Sequence, residues 1–153
     1  MKTTLFFSLA VLAACFSTAL GGTPKSTPAS AVPEGQFLVE YLDDSDQTHR
    51  VISKTFSHTE AGPLRCIEGP LSLDKIKHLS FPDPISMETI KQWPARFETA
   101  EIPTVRILFE DEKGQQHIYH MWATLWLYFT DTKTNKRIGF HPCRILNVHH
   151  NIL

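Results

Sequence analysis

The sequence predicts an α+β domain in which a short helix packs on an antiparallel β-sheet. Three observations carry that expectation: a period-two pattern over residues 104–110, helical apolar spacing behind a capping serine over residues 72–79, and apolar runs separated by short polar turns elsewhere. Taken in order, residues 37–42 and 50–56 read as two strands of a hairpin around the turn Asp43-Asp44-Ser45-Asp46. After Gly62-Pro63, Ser72 stands as an N-cap before Leu73, Ile76 and Leu79. Phe81-Pro82-Asp83-Pro84 ends that helix, because proline lacks a backbone donor and restricts the residue before it. Ser86 then caps a second short turn with Thr89 at its third position. In residues 104–110, Val105, Ile107 and Phe109 share one face, and Arg106, Leu108 and Glu110 the other. Asp111-Glu112-Lys113-Gly114 turns the chain into a return strand over residues 116–122, and a last hairpin joins residues 124–130 to 137–148 through the polar residues 131–136.

The N-terminus sets the domain organisation. One lysine, an apolar run over residues 5–16, and the small residues Ala19 and Gly21 at the minus-3 and minus-1 positions read as a secretory signal peptide over residues 1–21. Its apolar core is shorter than the roughly 20 residues that a membrane-spanning helix needs, and no later stretch reaches that length. Residues 22–35, rich in Thr, Pro, Ser and Ala, read as a flexible leader, and residues 36–153 as a single domain. Leu12-Ala13-Ala14-Cys15 also resembles a bacterial lipobox, the alternative being a lipoprotein anchored through Cys15. Signal cleavage leaves Cys66 and Cys143, which in an oxidising compartment read as one disulfide or, alternatively, as two buried thiols. A bridge closing so long a loop would stabilise the fold by roughly 4 kcal/mol.

The net charge is −1, but it is unevenly spread. Residues 34–46 carry Glu34, Glu40, Asp43, Asp44 and Asp46 without a single Lys or Arg, whereas Lys113, Lys133, Lys136, Arg137 and Arg144 face only Asp131 in residues 113–153. Five histidines lie in that C-terminal part and would add positive charge below about pH 6, which favours anionic partners such as RNA. Trp122, Trp126, Tyr119, Tyr128, Phe129 and Phe140 lie beside those basic residues, and they are either core or a base-stacking platform. His117 and His120 are three apart, which on a strand points them to opposite faces, so no shared metal and no cofactor is expected. His149-His150 reads as a frayed terminal tail.

Three local motifs resemble the small fungal guanyl-specific ribonucleases, and more closely the ribonuclease-like secreted effectors of plant-pathogenic fungi. Leu64-Arg65-Cys66 stands where the effectors have an aromatic residue, any residue and a cysteine, with Leu64 as a departure. Trp93-Pro94-Ala95-Arg96-Phe97 and Glu101-Ile102-Pro103 resemble the Tyr-Pro and Glu-aromatic-Pro segments. Phe129, a polar turn, then Gly139-Phe140-His141 and Cys143 resemble the closing hairpin. The resemblance spans roughly residues 64–145 and implies a Cys66–Cys143 bridge, Glu101 as catalytic base and His141 as catalytic acid.

Ala95 and Trp126 fall where the family has its second histidine and its arginine. Cleavage next to a 2′-hydroxyl needs a base, an acid and a positive group for the phosphorane, and losing one stabilising donor costs about 100-fold or more. The resemblance thus implies a secreted, non-catalytic effector, acting outside the producing cell or inside a host cell by binding a host protein or RNA. Arg96, Arg106, His117, Lys133, Lys136, Arg137 and Arg144 are its candidate contacts. An active ribonuclease using Glu101 and His141 is one alternative, and an extracytoplasmic lipoprotein or structural secreted domain is another.

Overall fold

The structure, a computed structural model, describes residues 32–59 and 62–152. The signal peptide and Cys15 lie outside the described residues. Ten strands follow one another: β1 (Phe37–Leu42), β2 (Thr48–Ser57), β3 (Leu64–Cys66), β4 (Gly69–Leu71), β5 (His78–Ser80), β6 (Thr104–Glu110), β7 (Gln116–Trp122), β8 (Leu127–Asp131), β9 (Arg137–Phe140) and β10 (Ile145–His150). A one-turn helix, α1 (Met87–Lys91), lies between β5 and β6. Eight strands form one antiparallel sheet in the order β7-β6-β5-β10-β1-β2-β8-β9, and β3 pairs with β4 in a separate hairpin.

That order forces curvature. β7 and β8 are six strand spacings apart, about 29 Å across a flat sheet. Residues 123–126, which join them, reach about 18 Å even when extended. The sheet must therefore curl until its ends approach. Each end carries a further contact: His58, just past β2, bonds through Nδ1 to the Trp126 carbonyl next to β8 (3.0 Å), and Ile67 N–H, just past β3, donates to the His120 carbonyl of β7 (2.8 Å). One contiguous core fills the inside, from Val39 and Phe56 through Leu64, Ile107 and Met121 to Phe129 and Ile145.

The period-two expectation for β6 holds: Val105, Ile107 and Phe109 are buried, Thr104, Arg106 and Glu110 are exposed, and Leu108 on that second face is half-buried. The β1–β2 hairpin forms as expected, with Asp46 in the left-handed region (φ 58°) and the Asp43 carboxylate accepting from Ser45 N–H (2.8 Å) and Gln47 N–H (2.9 Å). Ser86 caps α1 by accepting from Thr89 N–H at 3.2 Å.

Other expectations are corrected. Residues 72–79 form no helix; Leu71, Leu73, Ile76, Leu79 and Phe81 are all buried along an irregular path that ends in β5. Long-range pairing overrides the local preference, because β5 fills the gap between β6 and β10, with Leu79 opposite both Phe109 and Val148. The domain is therefore mostly β, with one short helix that buries none of its residues. Residues 137–148 do not continue one strand: Pro142 starts a 3-10 turn over Pro142–Arg144, and the chain crosses to the middle of the sheet as β10. His149 and His150 are consequently paired with Leu38 and Phe37 of β1 rather than frayed. Val32, assigned by composition to the leader, is 3% exposed, and its carbonyl accepts from the Asn151 side-chain amide at 2.7 Å.

Cys66 and Cys143 are not bridged; both are thiols. Cys66 ends β3 and Cys143 lies in the 3-10 turn, and each packs on the apolar core. Burial pushes the Cys66 thiol up to about 12, with the nearby Glu68 carboxylate adding to it, and pushes Cys143 up to about 11. Among the described residues no helix is long and apolar enough to cross a membrane.

Candidate nucleic-acid interface

β9 is an edge strand, and the face it shares with β8 away from the core carries Tyr128 and Thr130 from one strand and Arg137 and Gly139 from the other. The register places Trp126 beside His141 just beyond the last paired residues, Leu127 and Phe140. Tyr128 lies over Gly139, where a side chain is excluded: a Cβ there would come within 2.8 and 3.0 Å of the Tyr128 ring and 3.4 Å of Trp126.

From this packing a ladder of ring contacts emerges. The Arg137 guanidinium sits 4.1 Å from the Tyr128 ring centroid. Tyr128 and Trp126 lie nearly parallel at 6.5 Å, and Trp126 meets His141 at 4.3 Å. His141 meets Trp93 at 5.6 Å, and Trp93 meets Phe97 edge-on at 5.7 Å. Six side chains thus run from the β8–β9 hairpin to the segment after α1. Trp126, half exposed, is the widest open surface in the row.

His141 is held in one tautomer. Its Nδ1 lies 2.8 Å from the Leu125 carbonyl, which can only accept, so Nδ1 carries a proton, and among the described residues Nε2 has no partner. Below this row, Arg144 is 1% exposed. It donates to the Ile85 carbonyl (2.6 Å) and the Asp43 carbonyl, and pairs with the Asp46 carboxylate at 2.6 Å. The Arg144 bond is the largest influence holding the Asp46 carboxyl below its ordinary range, followed by the Met87 N–H.

The candidate contacts divide into three groups. Arg137 belongs to the ladder, Lys133 and Lys136 stand on the exposed turn at one end, and Arg96 is exposed beside Phe97 at the other. Arg106 and His117 lie at the opposite end of the strand order and are engaged, Arg106 in a two-point pair with Asp83 (both bonds 2.8 Å) and His117 with Asp111 (2.9 Å). Arg144 is interior and serves as a structural hub. The two candidate catalytic residues have different settings: Glu101 ends an exposed 3-10 turn over Thr99–Glu101, whereas His141 is stacked within the ladder.

His117 and His120 go to different carboxylates, Asp111 and Glu68, as expected for strand positions three apart. Among the described residues no group of three or more His, Cys, Asp or Glu is placed to hold a metal. The aromatic set separates as well. Phe129 is buried, Tyr119 and Phe140 pack against the core, and Trp126 and Tyr128 lie nearly parallel on the outer face. Trp93 was legible only as part of a motif, since its partner His141 lies 48 positions on. The chain matches no family model, no curated protein and no solved structure, so its reading rests on the arrangement of its own residues.

Proposed function

We propose that this chain is a secreted, non-catalytic effector-type protein that binds single-stranded RNA along the ladder from Arg137 to Phe97. The observation that carries the reading is a row of rings in stacked, tilted and edge-on contact from Tyr128 to Phe97, with cations at both ends. Bases stack on aromatic rings regardless of sequence, while Lys133, Lys136, Arg137 and Arg96 supply charge for the phosphates. The non-catalytic part rests on His141. Its neighbour at 4.3 Å is the indole of Trp126, which offers a developing phosphorane no positive charge, and the buried Arg144 is already committed to Asp46 and two carbonyls.

Mixing the chain from Gly22 onward with a labelled 12-nucleotide RNA tests both parts on one gel. The expected result is a shifted, uncut band that weakens with salt, and a loss of about tenfold or more in affinity for Trp126→Ala, the scale of one base–aromatic stack. Cleavage abolished by Glu101→Ala or His141→Ala would establish the ribonuclease alternative instead. Absence of any shift at low salt would refute RNA binding.

A further inference from the structure

His78 on β5 and His149 on β10 stand directly opposite one another in the sheet. Their neighbours Leu79 and Val148 are both 2% exposed, so period two turns the two imidazoles to the outer face. The pair is also of the closely spaced kind. Phe81 N–H donates to the Leu146 carbonyl (2.9 Å) on one side and His150 N–H to the Lys77 carbonyl (2.8 Å) on the other, which leaves 78 and 149 as a non-hydrogen-bonded pair. The rings accordingly stack with centroids 4.4 Å apart, 20° from parallel.

One of these rings is oriented by its neighbours and the other is free to turn. The Asn147 amide nitrogen donates to the Glu40 carboxylate (2.8 Å), which also pairs with Arg50 (2.6 Å). That turns the Asn147 amide oxygen to His78 Nε2 at 3.3 Å, where it can only accept. His78 therefore carries a proton on Nε2 and, as a neutral ring, presents a bare lone pair on Nδ1. A second ring nitrogen anchored on a polar neighbour is the support that metal-bound histidines usually have. Neither nitrogen of His149 has a hydrogen-bond partner among the described residues, so its ring can swing from the stack towards His78 Nδ1 without breaking a bond. Burial, with His78 adding to it, holds His149 below the ordinary histidine value and keeps it neutral at pH 7.

The surroundings favour a cation. Four carboxylates (Asp74, Glu110, Asp111 and Glu112) and two lysines (Lys75 and Lys77) line the cavity beside His78, and Lys75 is already paired with Glu112 at 3.0 Å. Arg106, in the adjoining cavity, is neutralised by Asp83. On the other side of His149 the face continues through Leu38, which brings no charge.

We infer that His78 and His149 together bind one divalent transition ion of the imidazole-preferring kind, Zn²⁺ or Ni²⁺, with Asn147 as the residue that orients His78. Water completes the coordination. The site lies on β5 and β10, whereas the ladder lies on β8, β9 and the segment after α1, so it stands independently of the RNA-binding reading.

Calorimetric titration of the untagged chain from Gly22 onward with ZnCl₂ at pH 7.5 tests the site. One Zn²⁺ per chain should bind, and MgCl₂, whose ion prefers oxygen ligands, should give no binding heat. Either His78→Ala or His149→Ala should weaken Zn²⁺ by about a hundredfold, and Asn147→Ala by about tenfold. A second arm needs no variant. As NiCl₂ is added to the wild-type chain, the ring proton signals of His78 and His149 should broaden together, before those of the other six of the eight histidines. Absence of Zn²⁺ binding, a histidine variant that binds as tightly as the wild type, or broadening that reaches one of the two rings without the other would each overturn the shared site. Asn147→Ala binding as tightly as the wild type would overturn the orienting role.

Discussion

Arg144 shows how one side chain can organise a site without touching its ligand. A guanidinium at 1% exposure is tolerable only when paired and hydrogen-bonded, and here its partners come from the β1–β2 turn and the segment before α1. Removing it leaves those acceptors empty under the ladder. Arg144→Ala should therefore lose about 3 kcal/mol, read as a drop of about 10 °C in the unfolding midpoint. The two cysteines make a separate prediction. Thiols raised to about 12 and about 11 are almost wholly protonated at pH 8, and the thiolate is the reactive form. Iodoacetamide at pH 8 should leave both unlabelled in the folded chain and label both in guanidinium. A native mass two daltons lower than the dithiol would show a bridge instead. Residue chemistry suggested two buried thiols as one reading of this pair; compartment logic favoured the other, and only the packing of β3 and the 3-10 turn against the core separates them.

At the level of elements, legibility followed the range of the interactions. β1, β6 and β7 were readable to the residue because their alternation and their Asp-led turns lie within a dozen positions. β5 was not, because its partners β6 and β10 are distant in sequence, and Ser72 with Leu73, Ile76 and Leu79 satisfies a helical pattern locally. The ladder was half legible. Tyr128, Trp126 and Arg137 belong to one hairpin, but the step from His141 to Trp93 depends on where the crossover into β10 places the α1 segment. The same hairpin supplies a prediction at this scale. Gly139→Ala places a methyl group against the Tyr128 ring, so Tyr128 must leave its stack on Trp126. RNA affinity should fall by about tenfold, the loss of one stack, with the fold retained by circular dichroism.

For the molecule as a whole, acid should act in two stages. Burial holds His149 below the ordinary histidine value, with His78 stacked on it at 4.4 Å adding to the effect, and burial likewise lowers His58. Groups whose folded value is depressed bind more protons when unfolded, so stability is present above about pH 6.5 and begins to fall below it. A second loss follows below about pH 4. Backbone N–H groups lower Asp43 and Asp131, the His117 bond lowers Asp111, and Arg106 lowers Asp83. Urea midpoints should accordingly drop from pH 7.5 to 5.5 and again to 3.5, and His149→Gln should flatten the first drop alone.

The position of β10 between β5 and β1 also sets a timetable. Until Ile145–His150 is available, β5-β6-β7 and β1-β2-β8-β9 are two half-sheets with no strand to join them. Synthesis delivers that strand after the other nine, so the core cannot close before Ile145–His150 has emerged. A chain cut after Phe140, which lacks the joining strand, should therefore remain protease-sensitive however long it is left to fold.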